Sequence, residues 1–149
     1  MSENQTADRT MIREIIDLYA HHADRREADK QVALFTEDMH VAVYMGKEPD
    51  GEPAQDIRGQ AELKPGFEAL SQYMYTMHFV GQNTLTLDGD SATGEVYTLA
   101  HHVSEKDGRR VLLVMAIRYY DTYVKQNGKW LFAERLLLID WTDERPLNA

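Results

Sequence analysis

Met11, Ile12, Ile15, Ile16, Tyr19 and Ala23 recur at the three-and-four spacing of one helix face, so the chain is expected to open with a loose leader over residues 1–8 and an amphipathic helix over 8–23. A second, short helix is expected over 29–35, burying Val32 and Phe35 and stopping before Glu37 and Asp38. The pattern then turns to a strand over 39–45, and residues 46–56, GKEPDGEPAQD, read as a polar loop. Helical residues resume over 60–73, where Pro65-Gly66 should kink or split the helix, because proline lacks an N–H and crowds the preceding turn.

The remainder is strand-like, with runs over 76–87, 92–104, 109–124 and 129–140. The first three end in glycine-bearing turns at Asp88-Gly89-Asp90, Glu105 to Gly108 and Gln126-Asn127-Gly128, and the last runs toward Pro146. Turns of that kind between β-rich runs predict a meander of antiparallel hairpins. Helices first and antiparallel strands afterwards define the α+β class. No repeat, low-complexity segment or linker divides residues 1–149, so one domain is expected.

Composition narrows the function. With 25 acidic and 16 basic residues the net charge is −9, which disfavours nucleic acid and anionic membranes as partners. There are no cysteines, so disulfide and thiolate chemistry are excluded. The polar start, MSENQTADRT, is unlike a signal peptide, and no apolar run approaches a membrane span, so a cytoplasmic location is expected. Glycine-rich phosphate loops, the G-x-S-x-G elbow, the dinucleotide fingerprint and metalloprotease motifs do not occur. Adjacent histidines on a strand cannot chelate one ion, and His21-His22 reads as a helix-surface pair. No metal and no organic cofactor are therefore expected.

Five residues stand out as carriers of chemistry. Tyr19 and Asp24 are five apart, roughly 140° around an ideal helix, so they share a site only if the helix ends near residue 22 or 23 and Asp24 lies in the turn. The alternatives are a core tyrosine and a solvated aspartate in the charged run Asp24 to Glu27. His78 stands in Tyr75 to Val80, a strand-like run with few other polar side chains, as a hydrogen-bonded core residue, a surface residue or a base. His101 and His102 must point to opposite faces of theirs. His102 shares its face with Val96, Thr98 and Ala100, small side chains that leave room for a ligand, and it is preferred over His101. Arg135, among Phe132, Leu136, Leu137 and Leu138, needs an edge position or an anion: a salt bridge to Glu95 or Glu134, or a ligand's negative charge.

At these residues the chain resembles the SnoaL-like branch of the NTF2-like superfamily, which includes scytalone dehydratase, bile acid 7α-dehydratase and hexachlorocyclohexane dehydrochlorinase. The likeness runs from Ile12 to about Trp141. It is carried by I-I-D-L-Y-x4-D ending at Asp24, L-F-T-E-D after it, the Met77-His78 pair, A-T-G-E-V-Y over 92–97, and Tyr119, Asp121, Tyr123, Gly128 and Trp130 near the end. It implies a cone-shaped α+β barrel, a strongly curved mixed or antiparallel sheet wrapped around the N-terminal helices.

The resemblance also implies site roles. Asp24 and His78 match the Asp–His pair of these eliminating enzymes, Tyr19 a tyrosine of the bile acid enzyme, and Arg135 a pocket arginine of the dehydrochlorinase. His102 resembles the second histidine of scytalone dehydratase; the acidic residue that the bile acid enzyme has near Ala100 is missing here. The implied activity is a cofactor-independent lyase, a dehydratase or other β-eliminating enzyme, acting on a hydrophobic oxygenated molecule such as a steroid, polyketide, terpenoid or aromatic catabolite. His78 would remove a proton beside a carbonyl with Asp24 holding its tautomer, Tyr19 would donate to the enolate oxygen, His102 would protonate the departing hydroxyl, and Arg135 would neutralise charge. A ketosteroid-isomerase-like isomerase, a polyketide cyclase or a non-catalytic binding protein uses the same fold. A homo-oligomer, a trimer before a dimer, is expected through an outer sheet face bearing Leu113, Met115 and Leu137.

Overall fold

The computed structural model describes residues 2–148. Helix α1 (Glu3–Asp24) begins five residues before its expected start, so residues 3–8 are not a loose leader. The cause is a capping box: Ser2 Oγ accepts the Gln5 N–H at 3.2 Å, and the Gln5 side-chain oxygen accepts the Ser2 N–H at 3.2 Å. Asp8, on the added turn, is then buried against β-sheet residues, accepting the Trp130 indole N–H at 2.9 Å and Lys125 Nζ at 3.1 Å. The buried stripe of α1 is Ile12, Ile16, Tyr19, Ala20 and Ala23.

Helix α2 (Ala28–Val32) is shorter than its pattern, because Phe35 already opens strand β1 (Phe35–Met45). The Phe132 N–H donates to the Leu34 carbonyl at 2.9 Å, which draws this part of the chain into the sheet. Within the expected 46–56 loop, residues from Gln55 form the short strand β2 (Gln55–Arg58) on the edge of β1. Helix α3 (Gln60–Glu68) carries Pro65 and tightens into a 3-10 turn over Ala69–Gln72.

Strands β3 (Tyr75–Asp88), β4 (Ser91–Lys106), β5 (Arg109–Gln126) and β6 (Lys129–Pro146) form the expected antiparallel meander. The sheet order is β2-β1-β6-β5-β4-β3, with β1 parallel to β6. Register shifts interrupt β3 between Val80 and Asn83 and β5 after Ala116 and Thr122, and such bulges bend strands and increase their twist. Gly94 permits the closest approach: a Cβ there would lie 2.6 Å from the Thr84 carbonyl oxygen. The result is the α+β cone, with the helices inside the curve of the sheet and one continuous core of Ile12, Ile16, Met39, Val96, Tyr123 and Phe132. Among the described residues no helix is long and apolar enough to cross a membrane.

The two faces of the sheet differ from expectation in which residues they carry. Met115 and Leu137 line the internal cavity, and Leu113 pairs directly with inward-facing His102, so all three belong to the inner face. The outer face instead shows Phe79, Leu99, Ala116 and Trp141 in one row across β3, β4, β5 and β6. Phe79 is 68% exposed and Trp141 56%.

Candidate active site

A cavity of about 240 Å³ opens between the inner face of the sheet and the helices. Its walls are mostly apolar, with Val41, Val43, Phe67, Met115 and Ile139 prominent, and its polar groups are few: Tyr19, Gln31, Tyr73, His78, His102 and Tyr119 among them. An apolar cavity with a few convergent polar groups is the usual form of a small-molecule site.

Asp24 is the last residue of α1, where the helix closes and the side chain can reach β3. Its Oδ1 lies 2.7 Å from His78 Nδ1, and its Oδ2 accepts the His78 backbone N–H at 3.0 Å. A carboxylate only accepts, so Nδ1 carries the proton and Nε2 holds the lone pair on a ring that lines the cavity. Burial works to raise the Asp24 carboxyl. Hydrogen bonds from the ring and backbone of His78 and from Thr76 outweigh that and hold it below the ordinary carboxylate value. Asp24 is therefore ionised at neutral pH.

His102 is buried in the cavity wall and His101, on the opposite face, has its ring on the Met77 carbonyl. The His102 ring lies 6.0 Å from that of His78 and 4.6 Å from that of Tyr73. Its Nδ1 donates to the Leu113 carbonyl at 3.3 Å, which leaves Nε2 unprotonated. Burial, reinforced by nearby His78, lowers its pKa below the ordinary histidine value. At neutral pH this ring offers a lone pair, not a proton, and the acid role expected of it is corrected accordingly.

The same shift has a consequence for stability. Because the folded state disfavours protonated His102, acid is taken up more readily by the unfolded chain, and stability falls as pH drops through the ordinary histidine range. His102→Leu should lack this component. The difference in melting temperature between wild type and variant is expected to shrink between pH 7.5 and pH 5.5; a difference that stays constant over that range would contradict it.

Tyr19 and Asp24 do not share a helix face: Asp24 lies outside the cavity lining and acts on it through His78. Tyr19 lines the cavity, and burial raises its phenol above the ordinary value, as it does more strongly for Tyr119. Both are neutral donors at physiological pH. Arg135 lies behind them, 1% exposed and outside the cavity wall. Its partner is Asp121, not Glu95 or Glu134: Nε to Oδ1 is 2.8 Å and Nη2 to Oδ2 3.2 Å, with the Tyr123 hydroxyl donating to Oδ2 at 2.7 Å. Its guanidinium carbon sits 3.7 Å from the Tyr119 ring centre and 4.2 Å from that of Tyr19. Burial opposes its charge, but adjacent Asp121 prevails and keeps it protonated. With its charge already met, Arg135 supports the two tyrosines; direct contact with a ligand is not what this geometry provides.

Four groups at the site were missed from sequence: Thr76, Tyr73, Gln31 and Asp121. Alternation could have found Asp121, which falls between Tyr119 and Tyr123 on one strand face. Gln31, 2% exposed, lines the cavity. Outside the cavity, His21, His22 and Glu27 bring possible metal-ligand atoms within 4.8 Å of one another, but Lys30 already binds Glu27 at 2.7 Å.

The protein is thus a cone-shaped α+β barrel with an Asp–His pair at the wall of an apolar cavity. Residues 4–136 match the SnoaL-like domain, and the chain belongs to that family. Solved structures agree in fold. A provisionally assigned scytalone dehydratase from Novosphingobium aromaticivorans DSM 12444 matches with a TM-score of 0.82 at 22% identity, over 100% of this chain and 95% of that one. A hexachlorocyclohexane dehydrochlorinase (LinA, type 2) gives 0.78 at 16% identity, over 97% and 92%. An NTF2-like protein with a cystatin-like fold from N. aromaticivorans gives 0.67 at 24% identity, over 91% and 84%. No curated protein matched the chain.

Proposed function

We propose that the protein is a cofactor-independent lyase that dehydrates a hydrophobic, oxygenated small molecule through the Asp24–His78 pair. The observation that carries this reading is the 2.7 Å contact between Asp24 Oδ1 and His78 Nδ1 at the wall of an apolar cavity. His78 Nε2 takes the proton beside a substrate carbonyl, and ionised Asp24 stabilises the imidazolium that forms. The Tyr19 phenol donates to the developing enolate oxygen, where water-poor surroundings strengthen the bond. His102 Nε2 accepts the O–H of the substrate hydroxyl and orients it. The proton taken by His78 then goes to the departing hydroxyl, so one water leaves, one C–C double bond forms, and the enzyme returns to its starting state. The dehydratase and dehydrochlorinase named among the structural neighbours support this class of reaction. The test is a panel of β-hydroxy ketones, steroid and polyketide types included, incubated in deuterated water and followed by mass spectrometry. Deuterium entry next to the carbonyl and loss of water are expected. A panel showing neither would overturn the reading.

The row Phe79, Leu99, Ala116 and Trp141 is also proposed to lie between copies of this chain, since so much contiguous apolar surface is costly in water. Light scattering should give a mass above the 17.2 kDa of one chain, and Phe79→Glu should reduce it to that value.

A further inference from the structure

Helix α1 ends in a Schellman motif. The Arg26 N–H donates to the Ala23 carbonyl at 3.1 Å and the Glu27 N–H to the His22 carbonyl at 2.9 Å, which places Arg26 at the left-handed position with φ of 60°. Glycine is the usual residue there. A side chain disfavours that conformation, so the chain holds arginine at a place where glycine would be easier. What the arginine gains is its aim. Its Nη1 donates to Thr76 Oγ1 at 2.7 Å and to the Ala23 carbonyl at 3.0 Å, and Nη2 reaches the Tyr73 carbonyl at 3.4 Å.

The direction of this chain of hydrogen bonds is fixed by chemistry. A guanidinium only donates, so Thr76 Oγ1 accepts from it and turns its single proton to Asp24 Oδ1, 3.0 Å away. Asp24 then faces one donor from Thr76 and two from His78. Thr76 is two residues before His78 on β3, on the same strand face and opposite His102 in register. The charged and titratable groups around Asp24 are thus Arg26 on the helix-end turn, His78 on β3 and His102 on β4.

We infer that Arg26 and Thr76 are positioning residues for the Asp24–His78 pair: the guanidinium fixes the threonine hydroxyl, and the hydroxyl fixes the carboxylate rotamer that holds the His78 proton on Nδ1. The inference rests on the proton-transfer reading of that pair. It accounts for three features that are otherwise unrelated, namely arginine in a glycine position, a threonine hydroxyl bonded on both sides, and a carboxylate whose two oxygens are both directed at His78.

The experiment is nitrogen-15 NMR of the His78 ring in alkaline buffer, where its tautomer is read directly and no substrate is needed. Wild type is expected in the Nδ1–H form. Thr76→Val and Arg26→Gly should both lose that predominance in favour of Nε2–H, while Thr76→Ser, which keeps the hydroxyl, should retain it. Arg26→Gly should melt no lower than wild type because glycine suits the backbone there, so a changed tautomer in that variant cannot be ascribed to a damaged fold. If Thr76→Val and Arg26→Gly both give wild-type His78 resonances, the positioning role is overturned. If Asp24→Asn also leaves those resonances unchanged, it is the proton-transfer pair itself that fails.

Discussion

His78→Ala should lower turnover by roughly 10²–10⁴-fold, the range typical of removing a general base, with little change in melting temperature or ligand affinity. The ring sits at the cavity wall, and its strongest contact is with Asp24, so the fold does not rest on it. Asp24→Asn should come close to the same loss for a different reason. Asp24 accepts three donors, the Thr76 hydroxyl and both N–H groups of His78. An amide has one accepting oxygen, and its NH₂ group must face at least one of those donors. The imidazole then gives up its tautomer or its position. Steady-state kinetics on any substrate found by the panel decide the matter: a His78→Ala enzyme with wild-type kcat would remove this protein from the proposed class.

Breaking the ion pair behind the cavity should produce the largest loss of stability. Arg135→Met leaves Asp121 buried without its counter-charge and deprived of two hydrogen bonds, and removing one partner of such a pair typically costs about 3–5 kcal/mol. Asp121→Leu should do comparable harm by stranding the guanidinium. The double variant should recover much of the loss, because two apolar side chains bring no unpaired charge. Chemical denaturation of the four proteins provides the comparison, and additive losses in the double variant would show that the two residues act independently. Tyr19 and Tyr119 lie against the guanidinium, so the single variants should also loosen the cavity wall.

Much of this arrangement is legible in the sequence. The helical stripe of α1, the glycine turns of the meander and the face shared by Val96, Thr98, Ala100 and His102 follow from periodicity alone, because each depends on neighbours near in the chain. What was not legible depends on partners far away. The start of β1 at Phe35 is set by Phe132 almost a hundred positions later. The partner of Arg135 is Asp121 by register across β5 and β6, whereas the sequence leaves a salt bridge to Glu95 or Glu134 open beside a ligand's charge. Thr76 and Arg26 carry no pattern of their own; their importance arises where the end of α1 crosses β3. The assignment of Leu113, Met115 and Leu137 to the outer face failed because strand alternation gives two sets of residues and not which set faces in.

The position of β6 governs how the molecule can be assembled. This strand inserts between β5 and the parallel strand β1, which lies far earlier in the sequence. During synthesis β1 emerges with only the short strand β2 to pair with, and its long parallel pairing must wait until β6 has left the ribosome. Pairings so distant in sequence are slow to form. The meander of β3 to β5 has only local connections and can form first, exposing an apolar concave face until β6 arrives and β1 docks on its free edge. The cavity is therefore completed last, and the interval before closure is when the nascent protein is most exposed to aggregation and proteolysis.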